Sequence, residues 1–244
     1  MNNKRKPYDD SRVRRALSLA IDRQEIIDNV VQIPGGYPTF GMVAPGYVLN
    51  GVDFTAHHKN HNFSPKADVE QARRLLAEAG FPNGQGFPVL ELSYYTNATV
   101  KRTVEAIQQM WERNLNIRVR ISVEDWAVYY AGIQRGDYEV GAMGWGGDYL
   151  HPYTFLELMT TNSPNNHHKY GNPEYDRILE RTLLENDPRR AVELMQQAES
   201  IIIRDQPSIP LFCRTNTLMV APYVKNWAFT ALNNLYFKEA YIQK

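Results

Sequence analysis

The chain has 244 residues, with 27 Lys+Arg balanced by 27 Asp+Glu and a hydrophobic share of 43%, a composition that suits a folded globular protein and excludes a disordered one. The charge balance holds in every third of the chain, which excludes a domain-scale basic face for nucleic acid. The single cysteine, Cys213, excludes an intramolecular disulfide framework and a Cys-cluster metal site.

At 28.1 kDa a compact chain exposes roughly 11,000 Å², so a sizeable core needs no covalent staple. The opening stretch MNNKRKPYDDSR is polar and linker-like, without the apolar core of a secretory signal. No apolar run reaches the length of about 18 residues that a membrane span needs. Asp9, Asp10 and Ser11 are cap candidates for a helix whose Val13, Ala16, Leu17, Ala20 and Ile21 share one face. A second short helix is expected over 23–31, stopping before Pro34-Gly35-Gly36. Residues 34–66 are rich in Gly, Pro, Asn and His, show no sustained period and are expected to be irregular.

A helix is predicted over 67–79, with Asp68 near its start, Ala72, Leu75, Leu76 and Ala79 as its stripe, and Gly80 as its stop. PVLELSYY at 88–95 alternates as a strand, and a long helix follows over 98–114. IRVRISV at 117–123 alternates strictly, with Ile117, Val119, Ile121 and Val123 expected inward. A helix at 125–134, a strand at 138–143, and helices at 152–160, 173–185 and 188–204 come next, the last two opened by Pro173 and Pro188. Short strands are expected at 208–213 and 216–221, ahead of a Tyr-rich tail. The helix–strand alternation predicts an α/β fold with a mixed β-sheet flanked by helices on both faces.

Gly144-Trp145-Gly146-Gly147-Asp148 falls where the strand at 138–143 should end, and ligands of open α/β sheets bind beyond the carboxyl ends of strands. Glycines allow close backbone approach to a ligand, Trp145 offers an apolar wall, and Asp148 can accept charge-assisted hydrogen bonds from an ammonium group. The plainer alternative is a tight turn in which Asp148 caps the helix beginning near Pro152. The run His57-His58-Lys59-Asn60-His61 has metal-ligand chemistry, but no acidic or Cys partner stands at helical spacing from it, so a solvated loop is expected. The same holds for His167-His168. No nucleophile elbow, zinc-protease motif or matched cysteine signature occurs, and Glu91, Glu124 and Asp125 read as cap or surface acids. Of the 15 tyrosines, Tyr129, Tyr130, Tyr149, Tyr153, Tyr236 and Tyr241 divide between site walls and ordinary packing.

Three segments in order, PYDDSRVRRALSLAIDRQEII, GWGGDYLHPYTF and PEYDRILERTLLENDPRRAVELMQQAESIIIRDQPSIPLF, resemble the second large lobe of the oligopeptide-binding proteins. These are the solute-binding components of ATP-driven peptide importers, related to dipeptide- and nickel-binding proteins. The resemblance covers almost the whole chain. It implies a periplasmic-binding-protein-like lobe over 1–214, a crossover near Arg214, and a segment 215–244 that returns to an absent first lobe. It also implies that the chain is an expressed fragment of a protein about twice as long, which would explain a Met before NNKRKPYDD.

By the same resemblance, Asp148 pairs with a peptide α-ammonium, Trp145, Gly144 and Gly146 lie beside it with Tyr149 following, and Trp126 lines a side-chain pocket. Ala142 and Ile133 replace basic residues found in some relatives, so recognition of a peptide C-terminus there is not implied. The implied partners are an oligopeptide, the first lobe of the same protein and a membrane permease. The implied location is the periplasm or a lipid anchor at the cell surface. No cofactor, metal or catalytic residue is implied. The rivals are another ligand on the same fold (an oligosaccharide, a murein peptide or a metal chelate), a hydrolase using Asp148 as base, and a purely structural domain.

Overall fold

The computed structural model describes residues 1–61, 64–230 and 232–243. The Asp10 carboxylate accepts a hydrogen bond from the Arg12 N–H and opens α1 (Ser11–Leu19), and Asp22 does the same for α2 (Arg23–Glu25) through the Glu25 N–H. The second helix runs on as a π-helical segment, Ile26–Val31, and ends on Gln32 in the left-handed region. The segment expected to be irregular holds three short strands, β1 (Tyr37–Pro38), β2 (Val48–Leu49) and β3 (Val52–Asp53), and a 3-10 helix, Phe54–His61.

Then come α3 (Val69–Glu78), β4 (Leu90–Tyr95), α4 (Ala98–Leu115), β5 (Val119–Glu124), α5 (Trp126–Arg135) and β6 (Val140–Gly141). The helix α5 closes on Gly136 at φ 84°, a conformation glycine adopts without strain. After α6 (Tyr153–Leu156), α7 (Pro173–Leu184) and α8 (Pro188–Asp205) carry Pro in the first turn and are capped by the side chains of Asn172 and Asp187. The chain ends in β7 (Phe212–Cys213), β8 (Val224–Lys225), β9 (Ala228–Phe229), β10 (Leu235–Tyr236) and β11 (Tyr241–Ile242).

The main sheet has the order β5-β4-β6 and is parallel throughout, with Leu90 opposite Val119 and Leu92 opposite Val140. Antiparallel pairing occurs in separate two-stranded units, β1 with β7, β2 with β3, β11 with β8 and β10 with β9. The α/β class is as expected, and the two senses of pairing are divided among sheets. Leu90, Leu92 and Tyr94 of the central strand join α1, α3 and α4 in one core, where Trp111 is fully buried and its Nε1–H donates to the Leu17 carbonyl at 2.8 Å. Tyr129 and Ile133 of α5 pack near Gly141 on the other side of the sheet. A second core joins α6, α7 and α8 to Val43 and Phe54. Arg14 ties the two together: its guanidinium donates to the Asp205, Gln206 and Tyr8 carbonyls.

Several expectations are corrected. The opening residues are not linker-like. The Asn2 N–H donates to the Glu139 carbonyl at 2.8 Å and the Asn3 N–H to the His168 carbonyl at 2.9 Å, and Met1 and Asn2 are buried. Val123 faces solvent at 54% exposure, because β5 is an edge strand whose last residues run past the helices that cover its start. The strand at 138–143 shortens to Val140–Gly141, and 216–221 forms no strand.

Candidate functional site

Because β4, β5 and β6 are parallel, their carboxyl ends, at Tyr95, Glu124 and Gly141, lie on one edge of the sheet. Trp126 starts α5 two residues beyond the end of β5 and is 50% exposed. Its ring stacks on Tyr130 (centroids 5.2 Å, interplanar 15°) and meets Tyr95 edge-on at 4.9 Å. Tyr129 anchors this aromatic group to the next strand through a hydrogen bond from its hydroxyl to the Ala142 carbonyl at 2.8 Å. Gly141 permits the approach: a Cβ there would lie 2.7 Å from the Tyr129 Oη and 2.8 Å from Ile133 Cδ1.

Beyond β6 the chain leaves the sheet as Gly144-Trp145-Gly146-Gly147-Asp148. Gly144 and Gly146 have open space where a side chain would stand, whereas Gly147 presses close to Thr154 and Phe155. Trp145 and Tyr149 remain partly exposed. Asp148 is held by its backbone, its N–H donating to Thr154 Oγ1 at 3.1 Å. Among the described residues its carboxylate accepts no hydrogen bond and joins no salt bridge. It does not cap α6, where His151 Nδ1 instead accepts from the Tyr153 N–H. The Tyr149 hydroxyl donates to Glu157 Oε1 at 2.9 Å, and desolvation, then this bond, push its pKa up.

The expected residues therefore fall on one edge, in two parts. Trp126 belongs to an aromatic group with Tyr95 and Tyr130, while Gly144, Trp145, Gly146, Asp148 and Tyr149 form the exit segment of β6; no ring contact joins Trp145 to Trp126 among the described residues. Tyr95 and the exposed Val128 and Leu150 were not singled out by the sequence, whose only signal for them was apolar character at element ends. The edge is an open shelf. Hollows of about 280 and 410 Å³ lie elsewhere, one beside Arg14 and Asp205 and one between α7 and α8, and both have polar and charged linings.

The histidine runs are not solvated loops. His167 is buried, and burial, then the charge of Lys169, lower its pKa. His57 and His58 turn inward against Glu199, an acidic partner that linear spacing did not reveal.

A parallel sheet with helices on both sides, presenting a glycine-rich exit and exposed aromatics at its carboxyl edge, is the architecture of an α/β ligand-binding lobe. The profile of the bacterial extracellular solute-binding proteins, family 5 (middle), matches residues 1–167, and the chain belongs to that family. It is 31% identical to the oligopeptide-binding protein OppA of Bacillus subtilis over 99% of this chain and 44% of that protein. The crystal structure of Haemophilus influenzae OppA in complex with RPPGFSPFR superposes with a TM-score of 0.84 at 31% identity, covering 100% of this chain and 47% of that one. The murein tripeptide binding protein MppA of Escherichia coli also gives 0.84, at 29% identity, over 100% of this chain and 47% of that one. The chain thus spans about half the length of the relatives it matches.

Proposed function

We propose that residues 1–214 are the second, ligand-binding lobe of a two-lobed peptide-binding protein serving an ATP-driven importer, and that 215–244 returns to the first lobe. Asp148 carries this reading. Its carboxylate stands exposed and, among the described residues, without a hydrogen-bond or salt-bridge partner at the carboxyl edge of the sheet, and an α-ammonium is the ligand group that complements it. Trp145, with Gly144 and Gly146, flanks that contact, Tyr149 borders it, and Trp126 forms one wall of a side-chain pocket. Family membership and likeness to proteins named for oligopeptides and murein tripeptide support the ligand class.

Capture without turnover is supported by the chemistry of the edge. The Tyr149 hydroxyl, bonded to Glu157 at that edge, has its pKa moved up, the wrong direction for a nucleophile at neutral pH. Relatives described as periplasmic support a protein that works outside the cytoplasmic membrane, free or lipid-anchored, and delivers its ligand to a permease.

The test is a double cycle in the two-lobed protein, Asp148→Asn against N-acetylation of the peptide, read by calorimetry. Each change alone is expected to cost roughly 2–5 kcal/mol, the penalty of leaving one buried charge unpaired, or about 30- to several thousand-fold in affinity. Both together are expected to cost little more than one. Additive losses would show that Asp148 does not hold the ammonium. The 244-residue chain alone, which offers one wall of the cleft, is expected to bind peptide with a Kd of order millimolar or weaker; micromolar binding would overturn the two-lobe account.

A further inference from the structure

We propose that His57, His58 and Glu199 form a binding site for a divalent transition metal ion, with Zn²⁺ the best chemical match. Glu199 lies in the middle of α8 and its side chain is completely buried. One carboxylate oxygen accepts from the Val43 N–H at 2.8 Å. The other lies 2.9 Å from His58 Nε2 and 3.2 Å from His57 Nε2. No Lys or Arg pairs with Glu199 among the described residues.

The tautomer of His57 turns this cluster into a metal site. His57 Nδ1 lies 2.8 Å from the Phe54 carbonyl oxygen, which can only accept, so Nδ1 carries a proton. In a neutral imidazole the lone pair then sits on Nε2, which is buried, makes no hydrogen bond and stands against a carboxylate oxygen. Two electron-rich atoms in that position repel unless a proton or a metal cation lies between them. A ring nitrogen bound to a backbone carbonyl with the other facing the metal is the arrangement that orients metal-ligating histidines.

The spacings agree with this. Zn²⁺ at its usual bond lengths of about 2.0–2.1 Å sets tetrahedral ligands about 3.3 Å apart, and the nitrogen–oxygen separations here are 3.2 and 2.9 Å. One ligand atom from each of the three residues lies within 4.8 Å of the others. Two imidazoles and one carboxylate favour a transition metal over Mg²⁺ or Ca²⁺, which take oxygen ligands. A fourth position is left to water. Gly41 lies over the cluster, where a Cβ would come within 2.6 Å of His58 Nε2, and the 3-10 helix is already fastened to α8 by Gln196 Nε2 donating to the Phe54 carbonyl at 2.9 Å. The ion therefore acts as a staple between the 3-10 helix Phe54–His61 and α8.

The experiment uses the 244-residue chain, stripped with chelator and titrated with Zn²⁺ at neutral pH by calorimetry and thermal unfolding. One equivalent is expected to bind with micromolar or tighter affinity and to raise Tm, with no response to Mg²⁺. His57→Asn keeps a donor to the Phe54 carbonyl but loses Nε2, and His58→Gln keeps a donor to Glu199 but loses the imidazole; each is expected to weaken Zn²⁺ at least tenfold. X-ray absorption of the unmutated zinc-loaded chain, which needs no variant to fold, should report two imidazoles in a nitrogen/oxygen shell near about 2.0 Å. Absence of binding, unchanged affinity in both variants, or a shell with a sulfur or fewer than two imidazoles would overturn the proposal.

Discussion

Residues 1–214 and 215–243 are built on different terms. The first region closes two apolar cores and sinks Tyr8, Trp111, Tyr129 and Tyr175 almost completely. The second has comparable apolar residues, among them Leu218, Met219, Phe229, Leu235, Phe237 and Tyr241, yet none of its described residues is buried, and Met219 is 94% exposed. Among the described residues its strands pair with one another, β8 with β11 and β9 with β10. The accessible surface, 13,523 Å², exceeds the roughly 11,000 Å² of a compact chain of this mass, the sign that an unpacked tail produces. Apolar content alone therefore does not make a core; the residues must also have a surface to meet. The proposed return of 215–244 to a first lobe would account for both halves of the contrast.

The contrast can be broken most directly by paired truncations of aromatic residues. Trp111→Ala should cost about 3–5 kcal/mol and Phe237→Ala within about 0.5 kcal/mol, both read by urea unfolding; equal costs would abolish the distinction. A smaller effect separates two glycines of the site edge. Gly141→Ala meets Tyr129 and Ile133 and should lose about 1–3 kcal/mol, while Gly144→Ala, which meets open space, should leave stability unchanged.

Acid sharpens the comparison further. Burial lowers the folded-state pKa of His167 and, more strongly, of His168, so below the unfolded value of about 6.5 the unfolded chain binds more protons than the folded one. Stability should fall as pH drops from there, by at most about 1.4 kcal/mol per pH unit for each group. His167→Gln should flatten that slope. The tail holds no histidine and should not share in it. The smallest effect is expected from ending the chain at Arg214: the unfolding free energy of the remainder should shift by less than about 1 kcal/mol, and self-association seen by light scattering should fall. A larger loss of stability would show that the tail belongs to the body.

Much of the body was legible because its signals are local. Asp10, Asp68, Pro173 and Pro188 mark helix starts, the apolar stripes of α1, α3 and α4 repeat with the helical period, and Gly80, at positive φ, stops α3. The position of the exit segment beyond a strand end followed from helix–strand alternation, whereas Trp126 was singled out only by the family resemblance. What stayed hidden depends on distant partners. His58 meets Glu199 across 141 residues and Tyr138 meets the His167 carbonyl across 29, and no period encodes either pairing. Val123 was misread because alternation tells which residues share a face, not whether a neighbouring element reaches far enough to cover them.

The buried guanidinium of Arg14 has a consequence for how the chain comes to be made. It lies on α1, yet two of the carbonyls that receive it, at Asp205 and Gln206, follow 191 and 192 residues later, and β1 likewise waits for β7, whose Cys213 stands opposite Tyr37. A nascent chain on the ribosome can form α1 early but must keep this cation hydrated until nearly two hundred further residues have emerged. Contacts of such sequence separation slow folding and lengthen the time that apolar faces stay uncovered. Emergence of the last helix, not of the first, is the step that commits the body to close.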